Sequence, residues 1–499
     1  MKTLVKNTII NIGAFGLVSL INLLVISFIV AAYGPAEYGL IVLVRILLPT
    51  GIVGLFDLGL AEAVTRYIAS SHAEGSDEDM SRIMMTAILI VFAVAGLVSG
   101  VIFVFSGEMV RWFSVELDKA EQFQWLIRSY AIALLILFPG LICESAVKGL
   151  EKFYLVRLAE IISMLVFTLL VVYLIAYKYA YLYIAYAYLV TAALRSVFFL
   201  GYVICGASVL RMKYFGVGEV TRKMMGHAFT IFQGKSVSAI FNNVAHILIG
   251  LLFGSYAVGV YDVLLRLPRF VKMIFGLINS AILPASAVLE AKKDKKNMVF
   301  VLEHGTIFTL SISFPFMMGM MLFSEPILRI WVGEQYASQG VWLALFFMWP
   351  GLVSIVGIGT SMLVARKSAL RKLNYLSWIQ LLLFMLISLT AQKFLGFQAF
   401  ILGIISALIV VVPLQIRVIT KEYLLNSMFY LATIFRVLIA GLFPLAWYIL
   451  VSILIDQRSV YYLVIGLLGW CSIYWLSLYY FVYTEEQKRY VKNITRIFR

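Results

Sequence analysis

The chain has 499 residues, of which 63% are hydrophobic, 15% aromatic and only 13% charged, with mean hydropathy +0.99 and net charge +15. A soluble globular chain is about 45–50% apolar and about 25% charged, so a water-soluble enzyme is excluded. Ten Pro and three Cys among abundant large apolar residues exclude collagen, disorder and a disulfide scaffold; Cys143, Cys205 and Cys471 each lie in an apolar run and read as small core residues. The composition is that of an all-α polytopic membrane protein, and its basic excess must first be placed relative to a bilayer.

A helix needs about 20 apolar residues to cross about 30 Å of hydrocarbon. Short polar stretches divide the chain into fourteen such segments, at 8–33, 38–66, 82–106, 122–147, 154–177, 180–205, 226–253, 258–289, 299–324, 338–364, 373–392, 396–416, 428–455 and 460–483. The first follows Lys2 and Lys6 but exceeds the about 7–15 residues of a signal-peptide core, so it is read as a span. No strand-like alternation supports a β-barrel, and the short connections leave no room for an extramembrane domain. With the N-terminus inside, the inner segments carry 26 Lys and Arg and the outer loops six. That bias places both termini in the cytoplasm.

The first and seventh segments superpose when Asn22 is laid on Asn242. Gly34 then meets Gly254 and Gly39 meets Gly259 in the same register, each second glycine being followed by an arginine (Arg45, Arg266) and a proline (Pro49, Pro268). A nearly equal shift lays FSGEMVRWF (105–113) on FSEPILRIW (323–331). The shared order predicts two six-helix lobes, 1–210 and 211–420, followed at 421–499 by two additional helices and a basic tail. An even number of helices per lobe makes the repeats parallel, with substrate bound between them near the midplane.

YGPAEYGL (33–40), FDLGLAEAVTRYIA (56–69), FGSYAVGVYDVLLRLPR (253–269), LPASAVLE (283–290) and the turn KGLEKF (148–153) carry a family resemblance. The chain resembles the polysaccharide-transporter branch, with its O-antigen-type flippases, of the multidrug/oligosaccharidyl-lipid/polysaccharide (MOP) exporter superfamily. The resemblance spans nearly the whole chain. It implies a flippase that carries a polyprenyl-pyrophosphate-linked oligosaccharide from the cytoplasmic to the outer leaflet of a prokaryotic plasma membrane. No cofactor is implied. Membrane lipids and glycan polymerase or assembly proteins are the candidate partners, nucleic acid is not, and a functional monomer is expected.

Eight basic residues remain inside the segments: Arg45, Arg128, Arg195, Lys235, Arg266, Arg269, Lys272 and Arg436, beside the acids Asp57, Glu62, Glu144, Glu160 and Asp262. Each costs at least about 2.5–3.5 kcal/mol at a helix centre, so such groups face a cavity or a partner. Asp262, Arg266 and Arg269 share one helix face with Lys272 a turn further on. That is either a cationic wall for a pyrophosphate or an Asp262–Arg266 pair with snorkelling neighbours. Lys235, Asn242 and His246 align on the seventh segment, and Asn7, Asn11 and Asn22 on the first. These asparagines either line a cleft or bond helix to helix. The candidate substrate-binding set is Arg45, Lys235, Asn22, Asn242, Asp262, Arg266, Arg269 and Lys272, with Asp57 as a counter-ion or an ion-coupling site.

Two other transport readings compete. A drug/cation antiporter would favour an acidic cavity, whereas this one is basic. A lipid II flippase of the same scaffold carries arginines in its first helix, where this chain has only asparagines. A membrane-embedded glycan enzyme would need a catalytic outer loop, and the longest, 107–121, has no nucleophile–base constellation.

Overall fold

The computed structural model describes residues 2–113, 115–206, 219–292, 294–364, 366–485 and 487–489. Side chains at 2–15, and that of Lys235, lie outside the described set. The described residues form helices and contain no strand. They pack as two compact units, Met1–Asp262 and Val263–Arg499.

The first unit begins with α1 (Lys2–Arg45), which bends at Gly34. The expected second span, 38–66, is not one helix. Its first residues finish α1, a 3₁₀ turn follows at Ile52–Asp57, and α2 (Leu60–Ala73) completes it. The sequence PTGIVGLFDLG supplies the breaks: proline removes a donor, and Gly59 takes φ 76. Then come α3 (Asp77–Val104), α4 (Ser106–Trp112), α5 (Leu117–Gly149), α6 (Phe153–Ala176) and α7 (Tyr181–Gly201). Helix α5 is the spine of this unit and packs against α2, α3 and α7, while α1 lies on α6 and α7. The Thr65 hydroxyl donates to the Ser145 carbonyl at 2.9 Å and the Tyr130 hydroxyl to the Ala185 carbonyl at 2.6 Å, so polar hydroxyls as well as apolar packing fix α2 and α7 on α5.

The seventh and eighth expected segments form one helix, α8 (Glu219–Ala291), bent at Gly254. Gly34 has φ 78, ψ 174 and Gly254 has φ 76, ψ −177. Both lie in a region open almost only to glycine, and they are the pair that the repeat register brings together. Just beyond each bend the two helices cross at Gly39 and Gly259. A Cβ on Gly39 would strike the Ser255 carbonyl, and a Cβ on Gly259 the Pro35 carbonyl. Ser255 and Pro35 are equivalent positions in that same register, so the crossing is reciprocal under the repeat.

The second unit continues with α9 (Lys295–Leu322), α10 (Ser324–Val332), α11 (Gly340–Leu363), α12 (Lys367–Leu395), α13 (Ala399–Tyr423), α14 (Met428–Ala440), α15 (Leu445–Leu454) and α16 (Val460–Ser477). Asp294 caps α9: the Asn297 backbone N–H and side-chain amide donate to its carboxylate and hold it below the usual aspartate value. Helix α9 packs on α11 and α16, and α12 and α13 form an antiparallel hairpin. Pro315 leaves the Ser311 carbonyl without its helical donor, and the Trp475 indole donates to it at 3.1 Å, while the Trp470 indole donates to the Pro315 carbonyl at 2.9 Å. The expected span 428–455 is broken between α14 and α15, where Pro444 ends the run GLFP.

Among the described residues, eleven helical stretches are long and apolar enough to cross a membrane, against fourteen expected. Three of them take in two expected segments each, Gly16–Arg45 and Ala239–Gly276 in part and Ala369–Tyr423 in full. The protein is an all-helical, multi-pass membrane protein.

Candidate functional site

Asp262 is fully buried, in a stretch where an ionised carboxylate needs partners. It has several. The Tyr38 hydroxyl donates to Oδ2 at 2.6 Å, His246 Nε2 lies 3.0 Å from Oδ1, and Arg45 Nη2 reaches Oδ1 at 3.4 Å. The His246 ring stands edge-on to Tyr261, with centroids 5.2 Å apart. Tyr38 and Arg45 come from the segment of α1 beyond Gly34, which the glycine crossing brings against α8. The backbone kink and the ion pair are thus one construction.

The Arg45 contact is the longest of the three, beyond the about 2.7–2.9 Å of a firm charge-assisted bond. Its guanidinium also lies 5.7 Å from the centroid of the Tyr188 ring on α7, and its side chain keeps a fifth of its surface open. Arg45 is therefore tethered by one carboxylate and one aromatic face while a fifth of its side-chain surface stays open.

The other proposed residues divide clearly. Asn22 and Asn242 are half-buried on α1 and α8. Lys235, like Asn7 and Asn11, has its side chain outside the described residues. Arg266, Arg269 and Lys272 belong to the second unit and are each half-buried. Lys272 Nζ sits 4.3 Å from the centroid of the buried Trp349 ring on α11, a cation–π contact of about 0.5–2 kcal/mol. Asp57 is buried, and its Oδ1 accepts the Gly59 backbone N–H at 2.8 Å, closing the turn that starts α2. That bond gives Asp57 a local structural role.

Two features were not in the expected set. His246, which the sequence only aligned with Lys235 and Asn242, joins Asp262. Arg195 on α7 pairs with Glu144 on α5 at 2.9 Å, and the same carboxylate oxygen accepts Lys148 at 2.8 Å. The only signal was Glu144 and Arg195 as charges inside apolar segments, with Lys148 in the turn that follows. Arg128 donates from Nε to Ser106 at 3.1 Å and lies over Phe103 and Trp125. The tyrosines near 173–188 separate by role: Tyr173, Tyr177, Tyr179 and Tyr183 are exposed, whereas Tyr181 is buried and Tyr188 stacks near Arg45. Among the described residues no group of His, Cys, Asp and Glu is arranged to hold a metal ion.

Comparison with known proteins fits this geometry. The model of the family described as polysaccharide biosynthesis protein matches residues 4–290, and the MatE family model matches 236–360. A candidate O-antigen transporter of Shigella flexneri is 22% identical over 346 residues, covering 67% of this chain and 78% of its own. The fold is similar to that of the lipid II flippase MurJ in an inward closed conformation, with TM-score 0.73 and 15% identity over 94% of this chain and 98% of that one. An inward-facing multidrug-resistance MATE-family transporter of the MOP superfamily gives TM-score 0.69 and 12% identity, over 81% and 94% of the two chains. The first family model covers more than half of the sequence, so the chain belongs to the polysaccharide biosynthesis protein family and is a membrane transporter of the MOP superfamily, not an enzyme.

Proposed function

We propose that the protein is a flippase that moves a polyprenyl-pyrophosphate-linked oligosaccharide, such as an O-antigen, capsule or exopolysaccharide unit, from the cytoplasmic to the outer leaflet of a prokaryotic plasma membrane. The reading takes fourteen crossings with both termini cytoplasmic, lobes at 1–210 and 211–420, and two further helices at 421–499. The lobes alternate access to a cleft, and the protein acts as a monomer. Its substrate-binding residues are Arg45, Asn22, Asn242, Asp262, Lys235, Arg266, Arg269 and Lys272. The observation that carries this reading is the basic character of the in-membrane charges within the matched family region. Residues 4–290 include Arg45, Lys235, Arg266, Arg269 and Lys272, and Arg45 reaches its carboxylate only at 3.4 Å.

In this reading the pyrophosphate is bound by guanidinium forks and lysine point charges, while the isoprenoid tail stays in lipid. Asp262 orients Arg45 and offsets its charge between substrates. Asp57, closed into its own turn, serves as a structural counter-ion.

Reconstitution into proteoliposomes with a fluorescent polyprenyl-pyrophosphate glycan tests this directly. Translocation is expected from the unaltered protein. It should be lost in Arg266→Ala, Arg269→Ala and Lys272→Ala while membrane insertion persists. Unimpaired translocation in all three would remove the pyrophosphate role, and preferential transport of lipid II or of an organic cation would assign the protein to that substrate class instead.

A further inference from the structure

A cleft of about 160 Å³ runs between α6 and α7. It is well below the about 300–1,000 Å³ that encloses a whole small ligand, and it suits a length of hydrocarbon chain. Its walls are Leu158, Ile162 and Val166 on α6 and Leu194 and Phe198 on α7, and Leu158, Ile162 and Leu194 are about half exposed. A membrane-spanning surface of this kind meets lipid. One strongly polar group also lines the cleft: Arg195.

Arg195 Nη2 and Lys148 Nζ bind the same oxygen of Glu144, at 2.9 and 2.8 Å. Two cations on one carboxylate leave a net positive charge. Arg195 Nε is buried without a hydrogen-bond partner among the described residues, although burying such a donor unmet is unfavourable. The acceptor that suits a half-engaged guanidinium beside a lysine is a phosphate oxygen.

The direction of the cleft agrees with this chemistry. Lys148 lies one residue before the end of α5, and α6 begins after a short turn at Phe153. From there Leu158 to Val166 lead about 12 Å along α6 toward mid-membrane, at about 1.5 Å per residue. Arg195 and Lys148 therefore sit toward the end of the cleft near the α5–α6 turn, flanked by Leu158 and Phe198, while Ile162 and Val166 continue the apolar wall deeper, as for a phospholipid of the leaflet that the turn faces.

We propose that this cleft is a binding site for one anionic phospholipid of the bilayer, its acyl chain lying between α6 and α7 and its phosphate held by Arg195 and Lys148. The site is separate from the Arg45–Asp262 cluster and does not depend on which substrate the transporter carries.

Native mass spectrometry of the full-length protein in mild detergent, titrated with phosphatidylglycerol or phosphatidylcholine, tests it. One phosphatidylglycerol should be retained in preference to phosphatidylcholine. Arg195→Met should lower that retention by about tenfold, the loss expected for one charge-assisted hydrogen bond. Ser163→Phe, which fills the cleft and leaves the three charged residues in place, should lower retention of both lipids. Equal retention of the two lipids by the unaltered protein would overturn the site, as would undiminished retention in Ser163→Phe. Displacement of phosphatidylglycerol by an equimolar polyprenyl phosphate would overturn the choice of occupant and assign the cleft to an isoprenoid chain.

Discussion

Helices α1 and α8 make the same bend from unlike sequences. After its glycine, α1 continues with Pro35 and α8 with Ser255, yet Gly34 and Gly254 adopt nearly the same φ and ψ. The proline is therefore not the shared cause; the glycine conformation is. The side chains beyond the bends do the opposite. The register that superposes the glycines puts Val42 opposite Asp262 and Ile26 opposite His246. The two helices share the backbone geometry and differ in their polar groups, so that one supplies Arg45 and Tyr38 and the other the carboxylate and the imidazole that meet them. The crossing is alike on the two helices, and the polar groups beside it are not.

The strongest way to break that asymmetry is to make α8 resemble α1. In Asp262→Val, Arg45, Tyr38 and His246 lose their common acceptor in a buried setting. Removing one partner of such a pair costs about 3–5 kcal/mol, so thermal unfolding in detergent should shift sharply downward. Adding Arg45→Met should recover part of the loss, because it removes the stranded charge; a double-mutant cycle would show coupling of about 0.5–3 kcal/mol. Strictly additive effects would mean that Asp262 and Arg45 are not one unit.

The crossing itself offers the next test. Gly39→Ala and Gly259→Ala each push a Cβ into a carbonyl of the opposite helix. Each should destabilise toward the upper end of the about 1–3 kcal/mol seen for overpacking, and by similar amounts, since the contacts are reciprocal. Their combination should be less than additive, because one separation of the helices relieves both clashes. Unfolding midpoints of the two single variants that differ widely would break the symmetry inferred from the backbone.

Much of this architecture was legible in the sequence, for definite reasons. Apolar runs of bilayer length gave the helical segments, and the common register of Gly34 with Gly254 and Gly39 with Gly259 is visible in the sequence alone. The break inside 38–66 was also signalled by Pro49, Gly51, Gly54 and Gly59, but high hydropathy across the same stretch concealed it. Partner choice was the least legible part. Spacing along one helix can suggest Asp262 with Arg266. It carries no information about Tyr38 and Arg45, 224 and 217 residues away in the chain. The same holds for Lys272 over Trp349 and for Arg195 with Glu144: a buried charge announces that it has a partner, and only the fold says which.

The smallest effect is the most discriminating for the bend. A Cβ at Gly34 or Gly254 meets nothing within 4 Å, so alanine at either position changes no packing. What it changes is the backbone: an L side chain at positive φ with ψ near 180° costs about 1–3 kcal/mol, and the folded state must either bear that strain or straighten. Gly34→Ala and Gly254→Ala should therefore lower stability equally and modestly, each by less than Gly39→Ala. If the bend brings Tyr38 and Arg45 to Asp262, straightening α1 also loosens that cluster, and the cost of Asp262→Val should shrink in a Gly34→Ala background. A cost that stays the same in both backgrounds would separate the bend from the ion pair and leave the glycine crossing alone to hold the two helices together.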